Sequence, residues 1–263
     1  MAMAMQPLRS LRRLCAADAG KARFGSSASA SAGAGGPAAG DHFDYLVIGG
    51  GSGGVSSARR AAQYGARVAV VERGPDRDLS GTRQGGGFGG TCVNMGCVPK
   101  KLMFTAGSHV EAAEEAAGYG VAMHPTVDWA ALVSRRDGYV ERLNGIYESN
   151  LDNDGIHHVR GRATFVGPRE VRVGGRILSA DHVLIAVGGK PALPTIPGAE
   201  LCTTSDGFFD LQEQPKNVLV VGAGYIAVEL AGILNALGLS LCSHPSRRHA
   251  GHRQARTCKN HME

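Results

Sequence analysis

Apolar positions along the chain alternate between short continuous runs and helical spacing, the pattern of an α/β protein. Residues 45–48 (Tyr-Leu-Val-Ile) form an unbroken apolar run, as expected of a strand buried on both faces of a parallel sheet. A glycine-rich turn follows, then a helix-compatible stretch over 55–64, then a second apolar run over 68–71 that ends at Glu72. Residues 217–221 and 228–237 repeat the strand, glycine turn and helix downstream. From Asp128, which is placed to cap a helix, Leu132, Tyr139, Val140, Leu143, Ile146, Tyr147 and Leu151 approximate one helical face. Short alternating runs over 159–166, 171–173 and 176–178, the last two joined by Gly174-Gly175, predict a small β-meander. Residues 183–187 read as a separate buried strand, and Pro191, Pro194 and Pro197 mark a crossing between domains.

Composition changes this picture mainly at the ends. Residues 1–40 are rich in Ala, Ser, Gly and Arg, with Arg9, Arg12, Arg13, Lys21 and Arg23 against the single acid Asp18, and they are similar to a mitochondrial transit peptide or a disordered cationic leader. The formal net charge of +5 lies largely in this leader and in the tail after residue 240, so it gives little support to nucleic-acid binding. No run approaches the roughly 18 apolar residues of a membrane helix.

The most specific chemistry is Cys92-Val93-Asn94-Met95-Gly96-Cys97, two thiols set before a helix-like run with Lys100 and Lys101 beside them. A helix N-terminus and nearby ammonium groups favour thiolate, which predicts a dithiol that stores two electrons. Zinc would need a second spaced pair, and the remaining cysteines are scattered. A structural disulfide or an unreactive buried pair stays open. Gly49, Gly51 and Gly54 match G-x-G-x-x-G between a strand and a helix, and Glu72 stands where a carboxylate reaches ribose hydroxyls. Gly222, Gly224 and Ala227 make a second fingerprint, with a repeated structural turn as the alternative. Two dinucleotide sites flanking a dithiol point to electron transfer from a nicotinamide through a flavin to a disulfide.

Taken together, these residues resemble the pyridine nucleotide-disulfide oxidoreductases over about residues 43–238, most closely their glutathione reductase branch. The resemblance implies a Rossmann-like FAD-binding domain with a small β-meander over 41–190, and an incomplete second Rossmann-like NAD(P)-binding domain over 191–240. It implies that Cys92 is the interchange thiol, that Cys97 faces the flavin, and that Lys100 pairs with Glu229 near the isoalloxazine. FAD and NADPH contacts would come from Gly49, Gly51, Ser52, Gly53, Gly54, Glu72, Gly90, Thr91, Cys92, Lys100, Ala163 and Gly188, and from Gly222, Gly224, Tyr225, Ile226 and Glu229. Substrate contacts would come from Ser52, Arg59 and Tyr147; a solvated helix face for Arg59 and ordinary core for Tyr147 are the plainer readings. The implied activity is NADPH-dependent reduction of glutathione disulfide by a homodimer, mitochondrial and also cytoplasmic. Thioredoxin- or lipoamide-type reduction and a non-catalytic regulatory isoform remain as alternatives.

Two stretches depart from the family pattern. Residues 73–88, with Gly74, Gly81, Gly85, Gly86 and Gly87, read as an inserted flexible loop beside the adenosine site. Residues 241–263 read as a divergent basic tail in which no strand pattern presents Arg247 and Arg248 to a 2′-phosphate. The expectation is therefore a C-terminally truncated chain, largely inactive alone.

Overall fold

A computed structural model describes residues 41–74, 76–77, 83–84 and 87–244, for 76–77, 83–84 and 240–244 as backbone alone. The leader, much of the 73–88 insert, and Arg247 and Arg248 lie outside the described residues. Strands β1 (His42–Ile48) and β2 (Val68–Glu72) flank helix α1 (Ser52–Gln63) and pair in parallel, Tyr45 opposite Val68 and Ile48 opposite Val71. The apolar runs leave no polar face because both faces of the sheet are covered. Leu46, Ile48, Ala69 and Val71 bury on one side, while Val47, Val68 and Val70 bury on the other beneath Val55 and Ala58 of α1.

The expected meander is cut differently from its sequence reading. Residues 159–166 divide at Gly161 into β5 (His157–Arg160), parallel to β2, and β6 (Ala163–Gly167). Strand β7 (Glu170–Val173) pairs antiparallel with both β6 and β8. The runs over 176–178 and 183–187 are not separate strands, because β8 (Arg176–Ile185) spans most of both. Its N-terminal part closes the meander and the stretch from Ser179 to Ile185 pairs in parallel with β1, giving a six-stranded mixed sheet in the order β5-β2-β1-β8-β7-β6.

Helices α2 (Gly90–Met95), α3 (Cys97–Glu115) and α4 (Trp129–Asn153) follow the insert. Asp128 caps α4 by accepting from the Ala131 N–H at 3.0 Å. The buried face of α4 is rotated from the expected one: Trp129, Val133, Arg136, Val140 and Leu151 are buried, whereas Tyr139 and Ile146 are exposed. Arg136 broke the apolar pattern in the sequence, yet it is 2% exposed, with Nη2 donating to Phe209 O at 2.7 Å. Short helix α5 (Ser205–Phe208) carries Phe208 and Phe209 into the same cluster as Met103, Trp129 and Val133.

Strand β9 (Asn217–Val221), helix α6 (Tyr225–Ala236) and strand β10 (Ser240–His244) form the downstream unit, with β10 parallel to β9 in a two-stranded sheet. A strand therefore does follow Gly238, against the sequence expectation. Leu230, Ile233 and Leu234 of α6 bury in the α3–α4–α5 cluster. A Cβ at Gly107 of α3 would lie 2.9 Å from the Ala236 Cβ, so small residues bring α3 and α6 close. The insert is not wholly a loop. Strands β3 (Asp76–Arg77) and β4 (Arg83–Gln84) pair antiparallel, and Phe88 is 2% exposed in the core under α1.

Candidate active site

Helix α1 begins at Gly51 with no side-chain cap and no acid in its first turn, so its leading N–H groups and positive end are open to an anion. A Cβ at Gly49 would come 2.3 Å from Ala186 O, and one at Gly54 1.8 Å from Gly49 O, which forces glycine where α1 meets β1. Around Gly53 there is open space, as a close backbone approach to a pyrophosphate requires. The Glu72 carboxylate accepts from Gly50 N–H at 2.6 Å and Gly74 N–H at 2.8 Å. These bonds orient it while each oxygen keeps a lone pair for a ribose hydroxyl. The donor set and the glycine cradle fit a dinucleotide.

The dithiol segment lies directly against this cradle. Gly51 and Gly89 form a parallel bridge, and Gly89 N–H donates to Gly50 O at 2.8 Å. Gly90 and Thr91 thus begin α2 beside the start of α1, Thr91 exposed. Cys92 sits inside α2, and Cys97 is the first residue of α3 after a break at Gly96. A Cβ at Gly96 would meet Thr91 O at 2.8 Å and Cys92 Cα at 3.3 Å, so any larger residue would push the two cysteines apart. Both are free thiols; Cys97 is exposed and Cys92 half-buried.

The expectation that a helix start favours thiolate at both cysteines needs correction. Only Cys97 stands at the start of a long helix. Burial pushes the Cys92 thiol up from its ordinary value, and a hydrogen bond to Cys97 pushes in the same direction, while the Lys100 ammonium pulls weakly the other way. The Lys101 ammonium lies over the Phe104 ring, 4.9 Å from the centroid.

Lys100 Nζ forms an ion pair with Glu229 of α6, and the same ammonium lies 5.9 Å from the Tyr225 ring centroid. Tyr225 and Ile226 open α6 directly after Gly222 and Gly224, with the Tyr225 ring 74% exposed. The dithiol helix is thereby tied to the second fingerprint. Gly188 follows β8 with φ +70°. Ala163 begins β6 just after Gly161, whose N–H donates to Glu72 O at 2.9 Å.

The three expected substrate residues are only partly brought together. Arg59 and Tyr147 line one cavity of about 400 Å³ with Arg60 and Asn150, whereas Ser52 lies outside it at the first turn of α1. Arg59 Nε donates to Asp154 Oδ2 at 2.5 Å, a bond that leaves the terminal nitrogens uncommitted to Asp154. Sequence reading missed Asp154, Asn94, Asn144 and Phe88. The signal for Asn144 was its place four residues after the buried Val140, on the core face of α4.

A profile of the pyridine nucleotide-disulphide oxidoreductases matches residues 43–253. Among curated proteins, the glutathione reductase of Schizosaccharomyces pombe is 51% identical over 205 residues, covering 74% of this chain and 42% of its own. That of Yarrowia lipolytica is 47% identical over 214 residues, again covering 74% of this chain and 42% of its own. The chain spans about two-fifths of the length of these relatives. No helix among the described residues is long and apolar enough to cross a membrane.

Proposed function

The chain belongs to the pyridine nucleotide-disulphide oxidoreductases, and from this premise we propose that it serves NADPH-dependent reduction of glutathione disulfide through the Cys92/Cys97 dithiol. The observation that carries the reading is the bridge between Gly51 and Gly89, which sets a dinucleotide cradle against a redox dithiol. Gly49 to Gly54 and Glu72 would hold FAD, and Gly222, Gly224, Tyr225 and Ile226 would receive the nicotinamide nucleotide. FAD, when bound, would accept a hydride from NADPH and return two electrons to the Cys92–Cys97 disulfide.

The remaining steps belong to this chain's own residues. Cys92, as its thiolate, attacks one sulfur of glutathione disulfide to form a mixed disulfide, and the first glutathione leaves as a thiolate that takes up the proton Cys92 gave up. Cys97 then gives up its own proton and attacks the Cys92 sulfur, which closes the Cys92–Cys97 disulfide and releases the second glutathione as a thiolate that takes up that proton. The Arg59 guanidinium, with Tyr147 in the same cavity, suits a glutathione carboxylate. Lys100, held by Glu229, keeps a positive charge beside the dithiol. A homodimeric assembly and a mitochondrial site of action, with a cytoplasmic pool, belong to the same proposal; the location rests on the composition of residues 1–40.

The test is to purify the chain, record its visible spectrum, and follow NADPH absorbance with glutathione disulfide, oxidised thioredoxin or lipoamide as acceptor. A bound yellow chromophore, with NADPH consumption that follows glutathione disulfide and an Arg59→Ala variant raising KM for that acceptor alone, would support the proposal. A flavin-free preparation, or equal activity on all three acceptors, would sink it.

A further inference from the structure

The dithiol is held by a polar cluster that the roles above leave unused. Asn94 of α2 is 2% exposed, and its Nδ2 donates to Gly90 O at 2.8 Å and to Phe88 O at 3.3 Å. Asn144 of α4 donates through its own Nδ2 to Phe88 O at 2.6 Å and to Asn94 Oδ1 at 3.0 Å. Both hydrogens of each amide are used, and no buried side-chain polar atom among the described residues lacks a partner. A closed network of this kind in a low-dielectric interior is rigid. Phe88 fills the space beneath Gly50, where a Cβ would come 2.6 Å from its ring, so the network also anchors the cradle. Asn94 lies in α2 between Cys92 and Cys97 in the chain. Any loosening of α2 would let Cys92 drift from Cys97, because beyond Gly96 the chain is already committed to α3.

We infer that Asn144 is a positioning residue for the dithiol: through Asn94 it keeps the Cys92 sulfur aligned on Cys97, which raises their effective concentration and favours their disulfide. The inference rests on the reading of Cys92 and Cys97 as the working dithiol. In the reaction concerned, the two thiols lose two protons and two electrons to glutathione disulfide, which leaves as two glutathione molecules, and one S–S bond is exchanged for another. Asn144 touches neither sulfur and acts only by placement.

The experiment equilibrates the full chain with glutathione redox buffers and measures the Cys92–Cys97 disulfide by differential alkylation and mass spectrometry, while circular dichroism reports the folded fraction. Asn144→Ala is expected to lower the equilibrium constant for disulfide formation about tenfold, or about 30 mV for a two-electron couple, with the chain still folded. Asn144→Ser, which retains one shorter donor, is expected to fall in between. Ser149→Ala, which removes only a local bond to Gly145 O on the same helix, should match the wild type. An Asn144→Ala chain that is folded and within twofold of the wild type would overturn the inference. If that variant fails to fold, an Asn144→Ser value within 1.5-fold of the wild type overturns it, and a larger fall supports it. A wild-type chain that forms no Cys92–Cys97 disulfide at any buffer ratio would instead bring down the functional proposal, and this inference with it.

Discussion

The two glycine fingerprints share a pattern and differ in their packing. At the first, Gly49 and Gly54 have no room for a methyl group, because α1 lies hard against β1 and the end of β8. At the second, Gly222, Gly224 and Gly232 have nothing within 4 Å of a built Cβ, and the position equivalent to Gly54 is Ala227. The first opens from β1 and β2, the most deeply buried strands of a six-stranded sheet; the second opens from a two-stranded one with Leu219 of β9 61% exposed. Similar motifs thus do different work: at the first, close packing itself demands glycine, while at the second only the backbone of Gly222, at φ +133°, demands it and the surroundings stay open. Helix α6 is held instead by its far side, through Leu230, Ile233 and Leu234 against α3, α4 and α5.

Substituting the glycines breaks the comparison most directly. Gly54→Ala should cost about 3 kcal/mol in urea unfolding, since its methyl would meet the Gly49 carbonyl. Gly224→Ala, at φ −72° with open surroundings, should change stability by less than about 1 kcal/mol. Equal losses would show that the two motifs are packed alike. Next in size is Arg136→Met, which leaves Phe209 O without its buried donor and should cost about 2 kcal/mol, weakening the cluster that supports α6.

Glu229→Gln tests the link between the dithiol helix and the second fingerprint. The pair is partly exposed, Lys100 by 23% and Glu229 by 43%, so the loss should stay below about 1 kcal/mol and shrink further in high salt. A loss unaffected by salt would argue against an electrostatic link. The smallest effect is kinetic. Because burial raises the Cys92 pKa, its alkylation by iodoacetamide should still be climbing at a pH where the same thiol in the urea-unfolded chain has levelled off. Lys100→Met removes a charge that lowers that pKa, so it should move the curve further toward alkaline pH; a shift toward acid would contradict this assignment.

Much of the first fingerprint was legible in the residues, because a buried parallel strand admits no polar side chain and a tight strand-to-helix turn admits little but glycine. The expected strand over 68–71 and helix over 55–64 lie within a few residues of β2 and α1. Residues 217–221 coincide with β9. The face of α4 was misread because Arg136 is buried by hydrogen bonds rather than by apolar character, a compensation that hydropathy does not record. β10 went unrecognised because Ser240, Cys242 and Ser243 carry little strand signal; the pairing with β9 supplies it. Phe88 looked like the end of a loop and is a core residue.

The order of elements, the glycine cradle, the spacing of Cys92 and Cys97 and the capping Asp128 were determined by the sequence itself, because each depends on local sterics and hydrogen bonding within a few residues. The tertiary structure alone decided that Gly51 meets Gly89 and that Asn144 closes a network on Asn94, while the pairing of Lys100 with Glu229 across 129 positions of chain was implied by the family resemblance and not by local spacing. It also decided which cysteine is the more buried. Such pairings depend on which helices pack together, and packing is governed by the complementarity of whole faces, a property no single stretch of residues carries.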